Sequence, residues 1–396
     1  MTNRSGVVVV LILLFSNFTN AQVDTALLKV RALVTENNFP KAYGLLSQMP
    51  DTRSVPEEVL LQTTFYTHHY SQMRDASKSL KHSNRFLQYY FLAAYYVRQN
   101  NTDSAFLMLE QLVEQRNKPP RGKLRTDSLF APLKTDSRWD SLWSGDHYLE
   151  FDNKVEQAAR ELNIKNYRLA LSLLDELIDQ KPFKDEVWYL RSCALYEQGF
   201  TRSALDDISE AIKRRKRSWL YFAHRAKVLM KLDKHKKALK EVQKAIELDP
   251  TNPVLYRIAT LAAGKAEKPG IDFSTLYLAA YPDSASALYH HASMVSQSGS
   301  CMQALPFINQ AIARESNNPN FRFLRAQIYQ QCKVYTQAVA DYGFCMDFWP
   351  RKPELYLNRG ICRYELNQRQ AGCKDLRRAL DLGALEADQL IHQWCR

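Results

Sequence analysis

In the second half of this chain, a small residue that precedes an apolar run returns on a 34-residue ruler, as Ala170, Ala204, Ala238, Ala304, Ala338 and Gly372. The intervals are 34, 34, 66, 34 and 34, so the phase slips by two residues at one place and then resumes. Blocks begin at Phe151, Asp185, Trp219, Pro253, Ala285, Pro319 and Pro353, and the Pro253 block is the short, degenerate one. Each block reads as two helices. Small residues let the two run antiparallel at close range, while bulky ones fill the space to the next helix. One such pair cannot bury its apolar face alone, so neighbours must stack. The period therefore predicts an all-α, quasi-one-dimensional array and leaves no room for a separate sheet domain.

The positions carry more than the period. The Trp219 block has Phe222 at position 4, Ala226 at 8, Leu229 at 11, Asp233 at 15, Ala238 at 20, Val242 at 24, Ala245 at 27 and Pro250 at 32. The Asp185 block has Trp188, Ser192, Leu195, Gly199, Ala204, Ile208 and Ala211 at the corresponding places. This resembles the tetratricopeptide repeat (TPR), which implies an α-solenoid, a right-handed superhelix of antiparallel helix pairs. Before residue 151 the phase is looser. Tyr89, Ala93, Tyr96, Asn100, Ala105, Leu109 and Leu112 make one unit, and two weaker ones centre on Ala42 (with Leu33 and Leu46) and Ala76 (with Leu60 and Leu80). About ten repeats in two groups are expected: residues 22–116, then an array over 151–386. Between them, residues 117–150 open on the helix-hostile NKPPRGK. DSLFAPLKTDSRWDSLW follows, similar to a segment that trails such repeats in envelope or secreted proteins of Gram-negative bacteria, and reads as an amphipathic hinge packed through Leu129, Phe130, Leu133, Trp139 and Leu142. From 387 to 396, Ala387, Leu390, Ile391 and Trp394 share one helix face and should cap the array.

Residues 1–21 read as a cleaved signal peptide. Arg4 is the charged start, Val7 to Phe15 an apolar core too short to span a bilayer, and Thr19-Asn20-Ala21 a small-x-small cleavage site before Gln22. No cysteine precedes Cys193, which argues against a lipid anchor at that site, so a periplasmic or secreted location is expected. Of seven cysteines, Cys193, Cys345 and Cys362 fall where small core residues would serve. Bridges 301 to 332 and 373 to 395 are open to formation if the α-carbons approach within about 7 Å. An odd count leaves a thiol unpaired.

The charge is concentrated. From Lys213 to Lys244 stand thirteen Lys or Arg against Asp233 and Glu241, a local excess of +11 in a chain of +12. Arg214, Arg215, Lys216, Arg217, Lys234, Lys236, Lys237, Lys240 and Lys244 read either as a surface for an anionic polymer (lipopolysaccharide, acidic polysaccharide or nucleic acid) or as a solvated outer face. The TPR resemblance implies a concave groove lined by positions 2, 5, 9, 12 and 13 of each first helix. Here these are Tyr189, Tyr196, Lys227, Met230, Lys231, Tyr289, Phe323, Gln327, Gln330, Leu357 and Tyr364, a set suited to a peptide or protein segment, with packing between adjacent repeats as the alternative role for some of the Tyr. Tyr189 and Cys193 stand where a carboxylate clamp would need Lys and Asn. Arg191, Arg225, Arg325 and Arg359, all at position 7, read as structural groups bonding the neighbouring repeat. The adjacent pairs His68-His69 and His290-His291 splay around their helices and do not suit a metal. No G-x-S-x-G, H-E-x-x-H, phosphate loop or dinucleotide turn occurs, so no cofactor and no enzymatic activity are expected. The reading is a non-enzymatic exported interaction scaffold, with the anionic-polymer binder as the alternative.

Overall fold

The computed structural model describes residues 24–50, 52, 55–78, 85–115, 118–144 and 148–395; the expected signal peptide and Leu80 lie outside them. The described residues form helices without strands. Three hairpins come first: α1 (Thr25–Thr35) with α2 (Phe39–Leu46), α3 (Glu57–Tyr66) with α4 (Tyr70–Lys78), and α5 (Arg85–Arg98) with α6 (Thr102–Val113). The connecting segment holds α7 (Arg121–Thr126), a 3-10 helix (Ser128–Thr135) and α8 (Arg138–Ser144). Four hairpins follow as α9 (Glu150–Asn163) and α10 (Tyr167–Gln180), α11 (Asp185–Glu197) and α12 (Thr201–Arg214), α13 (Trp219–Lys231) and α14 (His235–Leu248), α15 (Pro253–Lys265) and α16 (Ile271–Ala280). Three more are α17 (Ala285–Gln297) and α18 (Cys301–Arg314), α19 (Pro319–Gln331) and α20 (Tyr335–Phe348), α21 (Pro353–Glu365) and α22 (Arg369–Asp381), and α23 (Glu386–Trp394) ends the chain.

A single backbone device makes every hairpin. The turn between paired helices holds one residue in the left-handed region: Asn37, His68, Asn100, Lys165, Gly199, Asp233, Glu267, Gly299, Lys333 and Asn367. Where Lys165 takes that conformation, the next amide, of Asn166, reaches back to Glu161 O at 2.8 Å, and the same closure recurs from Lys234 to Leu229 and from Val334 to Tyr329. These are Schellman closures, which satisfy the last carbonyls of the first helix while reversing the chain. First helices start on extended caps such as Asn252, Ser284 and Asn318, whose side chains accept helix amides, with Pro253 and Pro319 pre-set in the first turn.

Packing follows the phase. Ala170, Ala204, Ala238, Ala304 and Ala338 are all fully buried, as are Ala158, Ser192, Ala226, Ala292 and Ala326 at position 8. The last repeat has glycine at both places, and a β-carbon on Gly372 would lie 3.0 Å from Gly360 O. First helices of successive repeats touch one another from α9 to α19, while second helices chiefly meet the first helices on either side, so the first helices form the inner layer. The connecting segment buries Phe130, Leu133, Trp139, Leu142 and Trp143 in one cluster with Phe65, Phe91 and Phe106 of the N-terminal hairpins. Cys301 and Cys332 join the turns of successive hairpins and Cys373 and Cys395 tie α22 to α23, with α-carbons 5.7 and 5.6 Å apart. Cys345 and Cys362 are buried free thiols.

Ala238 has no room for a larger side chain. Replacing it by Phe should lower unfolding stability by about 1 to 3 kcal/mol; urea titration checks this, and an unchanged midpoint would refute the close helix contact.

Candidate interaction groove

The expected groove residues all stand on first helices of the inner layer, and several of them stack against a neighbouring repeat while staying half-buried. The Tyr189 ring lies on Tyr221 of the next repeat, centroids 5.0 Å apart and 28° from parallel. Tyr289 lies on Phe321 in the same way, at 5.2 Å and 28°. Each pair joins position 5 of one repeat to position 3 of the next. The position 3 partners, Tyr221 and Phe321, went unnoticed in the sequence, although they recur where position 5 is Tyr. Phe323 meets Tyr342 and Trp349 edge-on, and the Lys352 ammonium sits 4.1 Å from its ring centre. Leu357 packs on the cluster of Ala379, Ala384 and Ala387, and Tyr364 stacks flat on Trp394 at 4.1 Å, so the terminal helix adjoins both.

The exposed members are polar, and the aromatic ones, the stacked Tyr189, Tyr289 and Tyr364 included, are half-buried. Lys227, Lys231 and Gln327 are exposed, and Tyr196, Met230 and Gln330 are half-buried. The Lys231 ammonium donates to Tyr196 O at 2.8 Å and lies 4.4 Å from the ring centre, which fixes it beside an aromatic face. Gln330 accepts from the Tyr342 hydroxyl at 2.6 Å, which leaves its amide nitrogen as a donor.

Beneath Tyr189 and Tyr196 lies a buried polar cluster that sequence inspection did not single out. The Ser192 hydroxyl donates to Ala204 O at 2.7 Å and stands 3.0 Å from His224 Nε2. Its hydrogen being engaged, the ring N–H must donate to it. Burial, with the Lys227 charge adding to it, holds the His224 imidazole down at about 4, and burial pushes the neighbouring Cys193 thiol up to about 11. A neutral ring that donates and a protonated thiol are packing groups; neither is poised as a base or nucleophile.

The arginines at position 7 correct the expectation that they bond chiefly to the neighbouring repeat. Arg191, Arg325 and Arg359 make paired hydrogen bonds to Asp207, Asp341 and Asp375, and Arg225 bonds Glu241, in each case sixteen residues on, in the second helix of the same repeat. The link to the preceding repeat is secondary: Arg191 also reaches Asp175 and Arg325 also reaches Asn309, at 2.7 and 2.9 Å. The acid column at position 23 shares the 34-residue period and could have been read with the arginines.

The basic run is exposed along α14 at Lys234, Lys236, Lys237, Lys240 and Lys244, and in the α12–α13 turn at Arg215, Lys216 and Arg217. Part of it is neutralised. Arg214 and Lys213 pair with Glu210, Lys244 pairs with Glu241, and Arg215 lies 3.9 Å from Asp185. Each histidine pair splays: His68 meets Tyr70 while His69 stacks on Tyr43, and His291 bonds Ser274 while His290 abuts Tyr289. Among the described residues no group of three or more His, Cys, Asp or Glu is placed to hold a metal ion.

A family model described as tetratricopeptide repeat matches residues 189–253. A TPR repeat-containing protein of Rhizobium etli is 24% identical over 164 residues, which cover 39% of this chain and 80% of that protein. Among solved structures, the APC/C hetero-tetramer Cut9-Hcn1 is similar over 94% of this chain and 83% of that one, at a TM-score of 0.50 and 12% identity. A tetratricopeptide repeat protein from Parabacteroides merdae is similar over 62% of this chain and 99% of that one, at 0.49 and 15%. At such identities the likeness is one of fold.

The His224 site generates a pH dependence. An imidazole titrating near 6.5 in the unfolded chain and about 4 when folded takes its proton more readily on unfolding. Its contribution is therefore complete above pH 6.5 and falls away as the pH drops towards 4, by about 3 kcal/mol at the limit. His224→Asn should flatten the decline in thermal midpoint over that window; an unaltered slope would refute the buried neutral ring.

Proposed function

We propose that this tetratricopeptide-repeat protein is an exported, non-enzymatic scaffold that holds an extended segment of a partner protein along the inner layer of its solenoid. The repeat fold supports an interaction scaffold in general. The observation that carries the finer reading is the set Tyr196 on α11, Lys227, Met230 and Lys231 on α13, and Gln327 and Gln330 on α19, all exposed or half-buried on first helices of the inner layer. It offers an aromatic face and two ammonium groups on neighbouring first helices and two amides further along the array, the chemistry that meets backbone carbonyls and acidic side chains of an extended chain.

Export is supported by Arg4, the Val7 to Phe15 core and the Ala21 site, and by two bridges, Cys301–Cys332 and Cys373–Cys395, of a kind that persists in oxidising compartments. No helix among the described residues is long and apolar enough to cross a membrane. Cys193, Cys345 and Cys362 are held protonated by burial, in keeping with packing roles.

Two measurements test this. Mass spectrometry of the native protein should give an N-terminus at Gln22 with two disulfides; an intact Met1 would refute export. Affinity capture from the envelope fraction, comparing the mature chain with Tyr196→Ala/Lys227→Ala/Lys231→Ala, should lose a specific partner by roughly tenfold or more, since each central contact contributes on the order of 1 to 2 kcal/mol. Lys236→Glu/Lys237→Glu/Lys240→Glu should retain it. Loss only in the charge-reversed variant, with a steep dependence on salt, would move the binding surface to the basic face of α14.

A further inference from the structure

The degenerate Pro253 block is the one that meets the other end of the chain. Helix α1 packs on α16 and on α15, so the run of helices from α1 to α16 closes on itself. Leu28 and Ala32 of α1, 0% and 1% exposed, are buried in one cluster with Ile258, Tyr277 and Ala280. Beside them Arg31 forms a fork on Asp249, Nη1 to Oδ1 at 2.6 Å and Nη2 to Oδ2 at 3.1 Å, across 218 residues of sequence, and also donates to Thr251. The receiving carboxylate is fixed in advance, because Thr251 Oγ1 and Asn252 Nδ2 donate to its two oxygens at 3.1 and 3.3 Å.

The departures of this block from the repeat pattern match that contact. Helix α16 has ten residues where α14 and α18 have fourteen. Its sequence, IDFSTLYLAA, has a single charged residue, Asp272, whereas α14, HKKALKEVQKAIEL, shows water a row of lysines. A second helix apolar on most sides is one covered on two sides. Position 7 is Ala259, so the arginine pin of the regular repeats is absent here too.

Helix α1 has a separate face for its own hairpin. Leu27 and Val30 are buried with Ala42, Leu46, Val55 and Val59 in a cluster that does not include α16. We propose that α1 is a clasp: with its hairpin intact, it parts from α16 and the α14–α15 turn and recloses on them, opening and shutting the ring of repeats. The seam consists of one forked ion pair, partly open to solvent at 19% and 16% of the side chains, and the small apolar face of Leu28 and Ala32. The hairpin keeps its own core when that seam parts.

Thiol labelling of the mature chain, read by peptide mass spectrometry to separate it from Cys193, Cys345 and Cys362, tests the clasp. Ala32→Cys places a reporter in the seam and Val30→Cys one in the hairpin core. Labelling at position 32 should proceed under native conditions much faster than at position 30. Adding Arg31→Glu should accelerate it by roughly ten- to a hundredfold, the range expected for loss of a charge-assisted pair, and further adding Asp249→Arg should restore the slow rate. The proposal is overturned if positions 30 and 32 label at one rate, if Arg31→Glu changes nothing, or if the reversed pair fails to restore protection. It is equally overturned if Ala32→Cys is protected only in a dimer seen by light scattering, which would place the seam between two copies.

Discussion

Everything in this solenoid depends on two helices running close enough that backbone nearly meets backbone. That distance is set by what is missing at positions 8 and 20: a large side chain. In the last repeat the limit is reached with Gly360 against Gly372; elsewhere in the 151–386 array alanine or serine leaves one methyl or hydroxyl between the helices, except in the degenerate Pro253 block, where position 8 is Thr260. Close approach fixes the angle of each pair, the angle fixes where the next first helix lands, and thirty-four residues later the same geometry recurs. The arginine at position 7 acts across that contact, pinning the first helix to a carboxylate on the second. These pairs are only partly exposed, with Asp207, Asp341 and Asp375 buried, so each fork secures a separation already set by the small residues and satisfies a charge that burial would otherwise penalise.

The pin is absent at Gln157 of the Phe151 block as well as in the two blocks that adjoin the α1 contact, and at the latter the array takes a second packing partner. Neither of the blocks beginning at Pro253 and Ala285 carries the Arg–carboxylate pair: the first has Ala259 at position 7 and the second has His291, which bonds Ser274 of the preceding hairpin. This stretch, with its shortened α16, receives α1 from the far end of the chain. The irregularity is the trace of a second packing partner, because a helix covered on two faces cannot also keep a repeat's usual charged outer row.

The regular part of the fold was legible because period and residue type repeat together. Ala170 to Gly372 set the register, the turns fell at Asn, Asp and Gly positions or at tolerated Lys and Glu, and α23 continued the phase through Ala387. Three things were not legible from a single-block pattern. The α1 contact joins Arg31 to Asp249, and nothing local in either segment announces the other. The acid column at position 23 was visible but is meaningful only when paired with position 7. The fate of the groove aromatics depended on their neighbours at position 3, since Tyr189 on Tyr221 and Tyr289 on Phe321 are stacked pairs whose two members come from different repeats.

That last point reshapes the chemistry of the inner layer. A list of groove positions suggests an aromatic trough; inter-repeat stacking and α23 engage one side of Tyr189, Tyr289 and Tyr364 and leave them half-buried, while Lys227, Lys231 and Gln327 are the exposed members. Rings that stack on neighbours stiffen the solenoid at small entropic cost, because an aromatic side chain has few torsions to lose. In the proposed scaffold, recognition passes to flexible donors held at one end, as Lys231 is held over Tyr196. A surface of donors backed by stacked aromatics favours a partner that brings acceptors, such as the carbonyls and carboxylates of an extended chain, over one that brings an apolar helix face.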